Sequence, residues 1–310
     1  MSRAYRFVQV DVFTDRIFGG NQLAVFLEPD GLSDAEMQAI AREMNFAETT
    51  FVFKPTQASA TARVRIFTPW RELPFAGHPT VGTAWVLANR GAVPRHSRTR
   101  RASTPSESVA EFALEEGIGL VPVRLDADDT VWMSHRDAEF GPPLSNRAEV
   151  AASLGLTESD LLRDAPIVSG STGVQFLFVP LNDPQTVDRA QPNLQAVASI
   201  FPGDRAGVFI FAPDRQRGVA HVYSRMFAPD IGVAEDAATG SASGPLGAYV
   251  AERGILEVNE PIEIVSLQGY RIGRPSTIRI RLDLREGRAT NIQVGGGVVP
   301  VLEGELQLPE

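Results

Sequence analysis

The chain has 310 residues, 43% of them apolar and 22% charged, the balance of a globular protein long enough for two domains. A net charge of −9 and a pI near 5.1 argue against nucleic acid or an anionic membrane surface as partner, and no apolar run approaches the roughly 20 residues of a membrane span. Cysteine is absent, which excludes disulfides, thiolate metal sites and cysteine nucleophiles.

The opening residues run straight into a strand-like alternation with no signal-peptide core, so a cytoplasmic protein is the expectation. The first strand is predicted over Tyr5 to Phe13. A turn at Gly19-Gly20-Asn21 follows, then the apolar run Leu23 to Leu27. Ser33 and Glu36 form a capping box that opens a helix through about Met44. Glu48 to Phe53 and Ala62 to Phe67 are β-branched and aromatic, and read as strands. Pro79 to Asn89 is a helix with almost no polar face, which predicts burial. Strands are predicted at Val109 to Leu114, Leu120 to Leu125, Gln175 to Val179, Ala206 to Phe211 and Val219 to Phe227. A second apolar helix runs from Ala242 to Ala251. Further strands lie at Ile262 to Leu267, Thr277 to Leu282, Asn291 to Val294 and Val298 to Leu302. Surface helices are expected after Asn146, after Thr157 and across Leu194 to Ile200. The basic stretch Arg95 to Arg101 reads as a solvated loop.

One unit occurs twice. Arg65-Ile66-Phe67-Thr68-Pro69 leads through Phe75-Ala76-Gly77-His78-Pro79 onto the first buried helix. Arg225-Met226-Phe227-Ala228-Pro229 leads through Glu235-Asp236-Ala237-Ala238-Thr239-Gly240-Ser241 onto the second. The expected fold class is therefore α+β, with two similar lobes, each a curved mixed sheet around one central buried helix. The lobes are expected over 1–126, to which a strand at about 295–310 can return, and over 127–294, with the boundary at the polar turn Asp126 to Asp129.

Gly77 and Gly240, each at the start of a buried helix, offer free backbone N–H groups, a seat for a carboxylate or oxyanion. The plain alternative is that these glycines only permit a tight turn. Two of them at matched places favour an anion-binding cleft, with the function lying between the lobes. His78 sits where the helix dipole holds an imidazole neutral near pH 7, whereas His96, His135 and His221 stand apart from any carboxylate motif and read as structural. Asp236 reads either as a helix cap or as a ligand to substrate. Glu48, between a helix end and an apolar strand with Phe46 and Phe51 nearby, suits a general acid/base, the alternative being a solvated strand-end charge. No His, Asp or Glu spacing resembles a metal site, so no metal is expected.

Together these stretches resemble the PhzF-like family of phenazine-biosynthesis isomerases, whose fold relatives are diaminopimelate epimerase and proline racemase. The matching segments include Val10 to Phe13, Gly20 to Phe26, Asn45 to Phe53, Arg65 to Gly82, Glu235 to Ala242, Gln268 to Ser276 and Val294 to Val299. The resemblance implies a diaminopimelate epimerase-like fold of pseudo-twofold lobes, a homodimer, a small-molecule substrate and no cofactor. It also implies Glu48 as the acid/base, His78 and Asp236 as substrate-binding and polarising groups, and Gly77, Gly240 and Ser241 as backbone and hydroxyl holders. The activity implied is a proton and double-bond shift in a small cyclic carboxylic acid such as trans-2,3-dihydro-3-hydroxyanthranilate; the alternatives are a PhzF-like isomerase acting on a different metabolite and, from another class, a non-catalytic small-molecule binder. Gln22, Ala47 and Ala237 depart from the family's usual residues, and Ala47 removes a hydroxyl beside Glu48. Two-thiol epimerisation, the other chemistry of this fold, is excluded because no thiol exists.

Overall fold

The computed structural model describes residues 2–93, 108–193, 195–196, 199, 207–218, 220–228 and 233–309. The basic stretch 95–101 and most of the helix expected across 194–200 lie outside the described residues. The chain forms two compact units, Met1–Ser134 with Gly295–Glu310, and His135–Val294. Asp126 to Asp129 is the tight turn between two strands of the first unit, which runs on to Ser134.

The first unit contains β1 (Arg3–Val12), β2 (Asn21–Phe26), α1 (Asp34–Met44), β3 (Glu48–Phe53), β4 (Ala62–Phe67), β5 (Glu72–Leu73), α2 (Gly77–Asn89), β6 (Ser108–Glu116), β7 (Gly119–Asp126) and β8 (Val131–Ser134). The second contains β9 (Glu139–Phe140), α3 (Arg147–Ser153), β10 (Val168–Ser171), β11 (Gln175–Pro180), α4 (Pro184–Arg189), β12 (Gly207–Pro213), β13 (His221–Ala228), β14 (Val233–Asp236), α5 (Gly240–Glu252), β15 (Ile262–Gln268) and β16 (Ser276–Arg285). After β17 (Arg288–Gly296), β18 (Val298–Leu308) returns to the first unit and pairs along the whole of β1, from Arg3 opposite Leu308 to Val12 opposite Val298.

Strand pairing shows the duplication directly. In the first unit β1–β2 is antiparallel, β2–β3 parallel, β3–β4 antiparallel, β4–β6 parallel and β6–β7 antiparallel. In the second, β10–β11, β11–β12, β12–β13, β13–β15 and β15–β16 repeat that series. Each parallel step needs a crossover. α1 and α4 fill the first crossover of each unit, α2 and α5 the second. The fold is a sheet-dominated mixed α+β architecture with few helices, as expected from the sequence.

Both crossover helices that carry the repeat are buried nearly all round. Only Trp85 and Asn89 of α2, and only Glu252 of α5, escape burial. α2 packs on β1, β2, β3, β7 and β8, and α5 on β10, β11 and β16. Close approach needs small residues: a Cβ on Gly82 would stand 2.6 Å from Leu23 Cδ2, and one on Gly247 2.5 Å from Ile280 Cγ2. The opposite face of the first sheet carries an aromatic stack, Phe7–Phe26–Phe51, with centroids 5.2 and 5.1 Å apart, under Met37, Ile40 and Ala41 of α1. In the second unit Phe140, Phe178 and Phe211 surround Tyr249 of α5, whose hydroxyl donates to the Pro166 carbonyl at 2.6 Å.

The helix expected after Thr157 is only a single 3₁₀ turn, Glu158–Asp160, because its Thr157–Asp160 capping box is not followed by a helical apolar stripe. Conversely α4, six residues opened by Asp183 and Pro184, is too short to show a periodicity in sequence.

Candidate active site

Glu48 is delivered by a helix stop. Asn45 takes the left-handed conformation at φ 53° and its N–H closes α1 on the Ala41 carbonyl. Three residues later β3 begins at Glu48, opposite Leu23 of β2. Strand alternation puts Glu48 and Thr50 on one face. Thr50 Oγ1 meets Thr83 Oγ1 of α2 at 2.9 Å, and Glu48 Oε2 lies 3.4 Å from His78 Nε2 at the head of the same helix. Both acid and imidazole are buried, Glu48 to 8% exposure and His78 to 3%.

His78 is held from its other side by Asn21, the first residue of β2, whose Nδ2 is 3.0 Å from Nδ1. Burial pushes the imidazole down to about 3, against a smaller opposing pull from a hydrogen bond with the Gln22 backbone. Desolvation rather than the helix end is thus the main cause of neutrality. The Glu48–His78 contact is a carboxyl–imidazole pair and not an ion pair. At 3.4 Å it is longer than a mature hydrogen bond, a spacing that active-site pairs commonly show before substrate tightens them. α2 starts from Ala76, which has no side chain to cap it, so Gly77 and His78 present backbone N–H groups at the positive end of a thirteen-residue helix.

The second unit repeats the helix start with different partners. Asp236 ends β14 and is 6% exposed. Its Oδ2 accepts the Thr239 hydroxyl at 2.7 Å. Thr239 itself occupies the N-cap of α5, so Asp236 is not the cap residue. Gln268, at the end of β15, ties the corner together. Its Nε2 donates to the Asp236 carbonyl and to Thr239 Oγ1, both at 2.9 Å, and its Oε1 accepts the Thr239 N–H at 3.1 Å. Gly240 and Ser241 are the first two residues of α5 and are buried. The repeated arginines also match. Arg65 forms a two-pronged pair with Glu72, Arg225 one with Glu235, and each stacks over the phenylalanine two residues on.

Glu48 has no acidic counterpart in the second unit. Leu23 stands opposite Glu48 across the parallel β2–β3 pair, and the corresponding Phe176 stands opposite Gly207 across β11–β12. A Cβ at Gly207 would lie 2.5 Å from the Phe227 carbonyl oxygen. The second unit has no room for an acid where the first has Glu48.

A family model described as phenazine biosynthesis-like protein matches residues 10–304. The chain belongs to the phenazine biosynthesis-like family. It is 36% identical over 306 residues to a trans-2,3-dihydro-3-hydroxyanthranilate isomerase of Pseudomonas fluorescens, across 98% of this chain and 100% of that protein. A phenazine biosynthesis protein of the PhzF family from Bacillus anthracis superposes with a TM-score of 0.83 at 28% identity, over 98% of this chain and 99% of that one. A hydroxyproline epimerase from Agrobacterium vitis shares the fold, with a TM-score of 0.65 at 14% identity over 99% and 94% of the chains. As a member of the phenazine biosynthesis-like family the chain is an isomerase.

Among the residues singled out from sequence, the first unit brings Glu48, Gly77 and His78 together and the second brings Asp236, Gly240 and Ser241 together. Asn21, Gln268 and Thr80 join these residues in the structure without a signal in the sequence that marks them as site residues. Asn21 and Gln268 lie inside the stretches that carry the family resemblance, but amides next to glycines read as turn residues. His135 is a packed residue, its Nδ1 2.7 Å from Thr172 Oγ1 and its ring against Gly244.

Proposed function

We propose that this chain is a single-base isomerase that shifts a proton, and with it a double bond, in a small cyclic carboxylic acid, with Glu48 as the base and then the acid. The reading rests above all on the Glu48–His78 pair: a buried carboxyl 3.4 Å from a neutral imidazole, beside the uncapped N–H groups of α2. Glu48 takes a proton from one substrate carbon, the electron pair moves through the ring, and the protonated Glu48, free to exchange with solvent in between, delivers a proton to a second carbon, so atoms and charge balance. Water excluded from around a carboxyl favours its protonated form, which suits the second half of that cycle. A neutral His78 positions the pair by hydrogen bonding without taking charge. Gly77 holds an oxyanion by its N–H. Asp236, Gly240 and Ser241, grouped at the start of α5, are the second unit's substrate-binding and polarising groups.

The name carried by the Pseudomonas relative makes trans-2,3-dihydro-3-hydroxyanthranilate the first substrate to try. Ala47, which removes the hydroxyl that the family usually carries just before Glu48, favours a second reading, the same proton shift in a different metabolite. The absence of cysteine removes the two-thiol alternative and supports a single-base shift through Glu48.

Incubation in deuterated water with that dihydro-hydroxyanthranilate tests the reading. An isomerase with a solvent-exchangeable base yields isomerised product carrying deuterium. Recovery of unchanged, unlabelled substrate that nonetheless binds would make the chain a binder for this compound and overturn the substrate assignment.

A further inference from the structure

Glu116 is a buried acid that the reaction described above does not use. It ends β6, is 6% exposed, and its Oε2 has no hydrogen-bond partner among the described residues. Its Oε1 lies 2.7 Å from Thr80 Oγ1, and that same hydroxyl lies 2.7 Å from the carbonyl of Ala76, the N-cap residue of α2. A hydroxyl has one hydrogen and a backbone carbonyl has none to give. If the Thr80 hydrogen goes to Ala76, then the Glu116 contact holds only when Glu116 supplies a hydrogen of its own. The segment after Glu116 is docked on the approach to α2 as well. Ile118 N–H donates to the Pro74 carbonyl at 3.1 Å, and a Cβ on Gly117 would meet Pro74 Cα at 2.7 Å.

The second unit contains the same arrangement without an acid. Ser243 Oγ donates to the N-cap carbonyl of Thr239 at 2.9 Å, as Thr80 does to Ala76, and the residue that braces this corner is the non-titrating Gln268. A protonated glutamic acid can do what an amide does there. An ionised one cannot.

We propose that Glu116 is a positioning residue for His78: protonated, it donates to Thr80 Oγ1, which holds the Ala76 carbonyl and so fixes the turn that presents Gly77 and His78. The charged groups that share its cavity, of roughly 380 Å³, are engaged elsewhere: Arg65 with Glu72 and Asp34, and Glu115 with Thr56. Arg63 lines the same cavity on β4, its guanidinium over the Phe53 ring. On α2 the titratable neighbour is His78, and β7 opposes Glu116 with Gly119. Burial raises Glu116 to about 8, so the relay is intact at neutral pH and is lost as Glu116 ionises.

The test uses the full chain with its histidine ring nitrogens labelled, the His78 signal being assigned by its loss in His78→Asn. Because His78 itself stays neutral over this range, a shift of its ring signals with a midpoint of about 8 reports Glu116. The expected result is that shift in the wild type and none in Glu116→Gln. Thr80→Val, which keeps the acid and cuts the relay, should also abolish it. A wild-type His78 signal that is flat from pH 7 to 9, or an unchanged midpoint in Glu116→Gln, overturns the proposal. A kinetic arm rests on the function proposed above. From pH 7 to 9 a group of pKa about 8 loses about tenfold of its protonated form, so wild-type turnover should fall about tenfold while Glu116→Gln changes by less than about twofold. Absent turnover in every variant tells against the proposed function, and the ring signals still decide the role of Glu116.

Discussion

Replacing Glu116 by Gln should stabilise the protein, and by an amount that depends on pH. The acid is buried, and among the described residues its hydrogen-bonding contact is with Thr80, so desolvation dominates and lifts it from the ordinary 4.5 to about 8. The sign follows from proton uptake. Below pH 4.5 both native and unfolded chains carry the proton, and burial costs nothing extra. Between 4.5 and about 8 the unfolded chain ionises while the native one does not, so stability falls as pH rises. At about 1.4 kcal/mol per pH unit, the whole window corresponds to about 5 kcal/mol, an upper value for a group this buried. Gln keeps a donor for Thr80 Oγ1 and has no proton to lose. In urea denaturation at pH 5 the two proteins should be within about 1 kcal/mol of each other, and at pH 8 Glu116→Gln should be the more stable by several kcal/mol. The acid-side titrations of His78 and His135, which burial pushes down to about 3 and about 4, are common to both proteins and cancel in the difference. A difference that stays constant from pH 5 to 8 would refute the argument.

The two repeated arginines should behave differently although their sequences match. Arg225→Met strands Glu235 and frees two buried carbonyls, those of Val187 and Ala190, and should cost about 3–5 kcal/mol. Arg65→Met breaks pairs to the more exposed Glu72 and Asp34 and should cost about 1 kcal/mol, both read from urea midpoints. Gln268→Leu removes the acceptor of the buried Thr239 N–H and one donor each to the Asp236 carbonyl and Thr239 Oγ1, and a loss of about 2–4 kcal/mol is expected in the same assay.

Much of the fold was legible because the two central helices are apolar on every face, and because Arg-x-Phe-x-Pro recurs at a fixed offset. The structure gives the recurrence a physical meaning: alternation along β4 and β13 places each arginine over its phenylalanine and within reach of a glutamate. Short elements were hidden. β5, β9 and β14 span two to four residues, too short to show an alternation of their own; β5 and β14 form by folding back on the preceding β4 and β13, β9 by pairing with the more distant β10, and α4 is a turn and a half. At the site, Glu48 and His78 could be picked out one at a time because each stands at an element boundary with apolar flanks. Their meeting could not be, since it depends on the Asn45 turn and on the Thr50–Thr83 contact that ties β3 to α2. Glu116 is least legible of all. In sequence it is the second of two glutamates before a glycine and looks like a solvated strand end, and only the register of β6 turns it inward.

Glu48 as the single acid/base is the centre of this account, and turnover by Glu48→Gln tests it most directly. The substitution keeps size and one hydrogen-bonding oxygen beside His78 while removing the titrating group. With trans-2,3-dihydro-3-hydroxyanthranilate, or whichever substrate the wild type isomerises, the account predicts that turnover falls by roughly 10²- to 10⁴-fold while substrate still binds. A Glu48→Gln protein that binds the substrate and isomerises it within tenfold of the wild-type rate would contradict it.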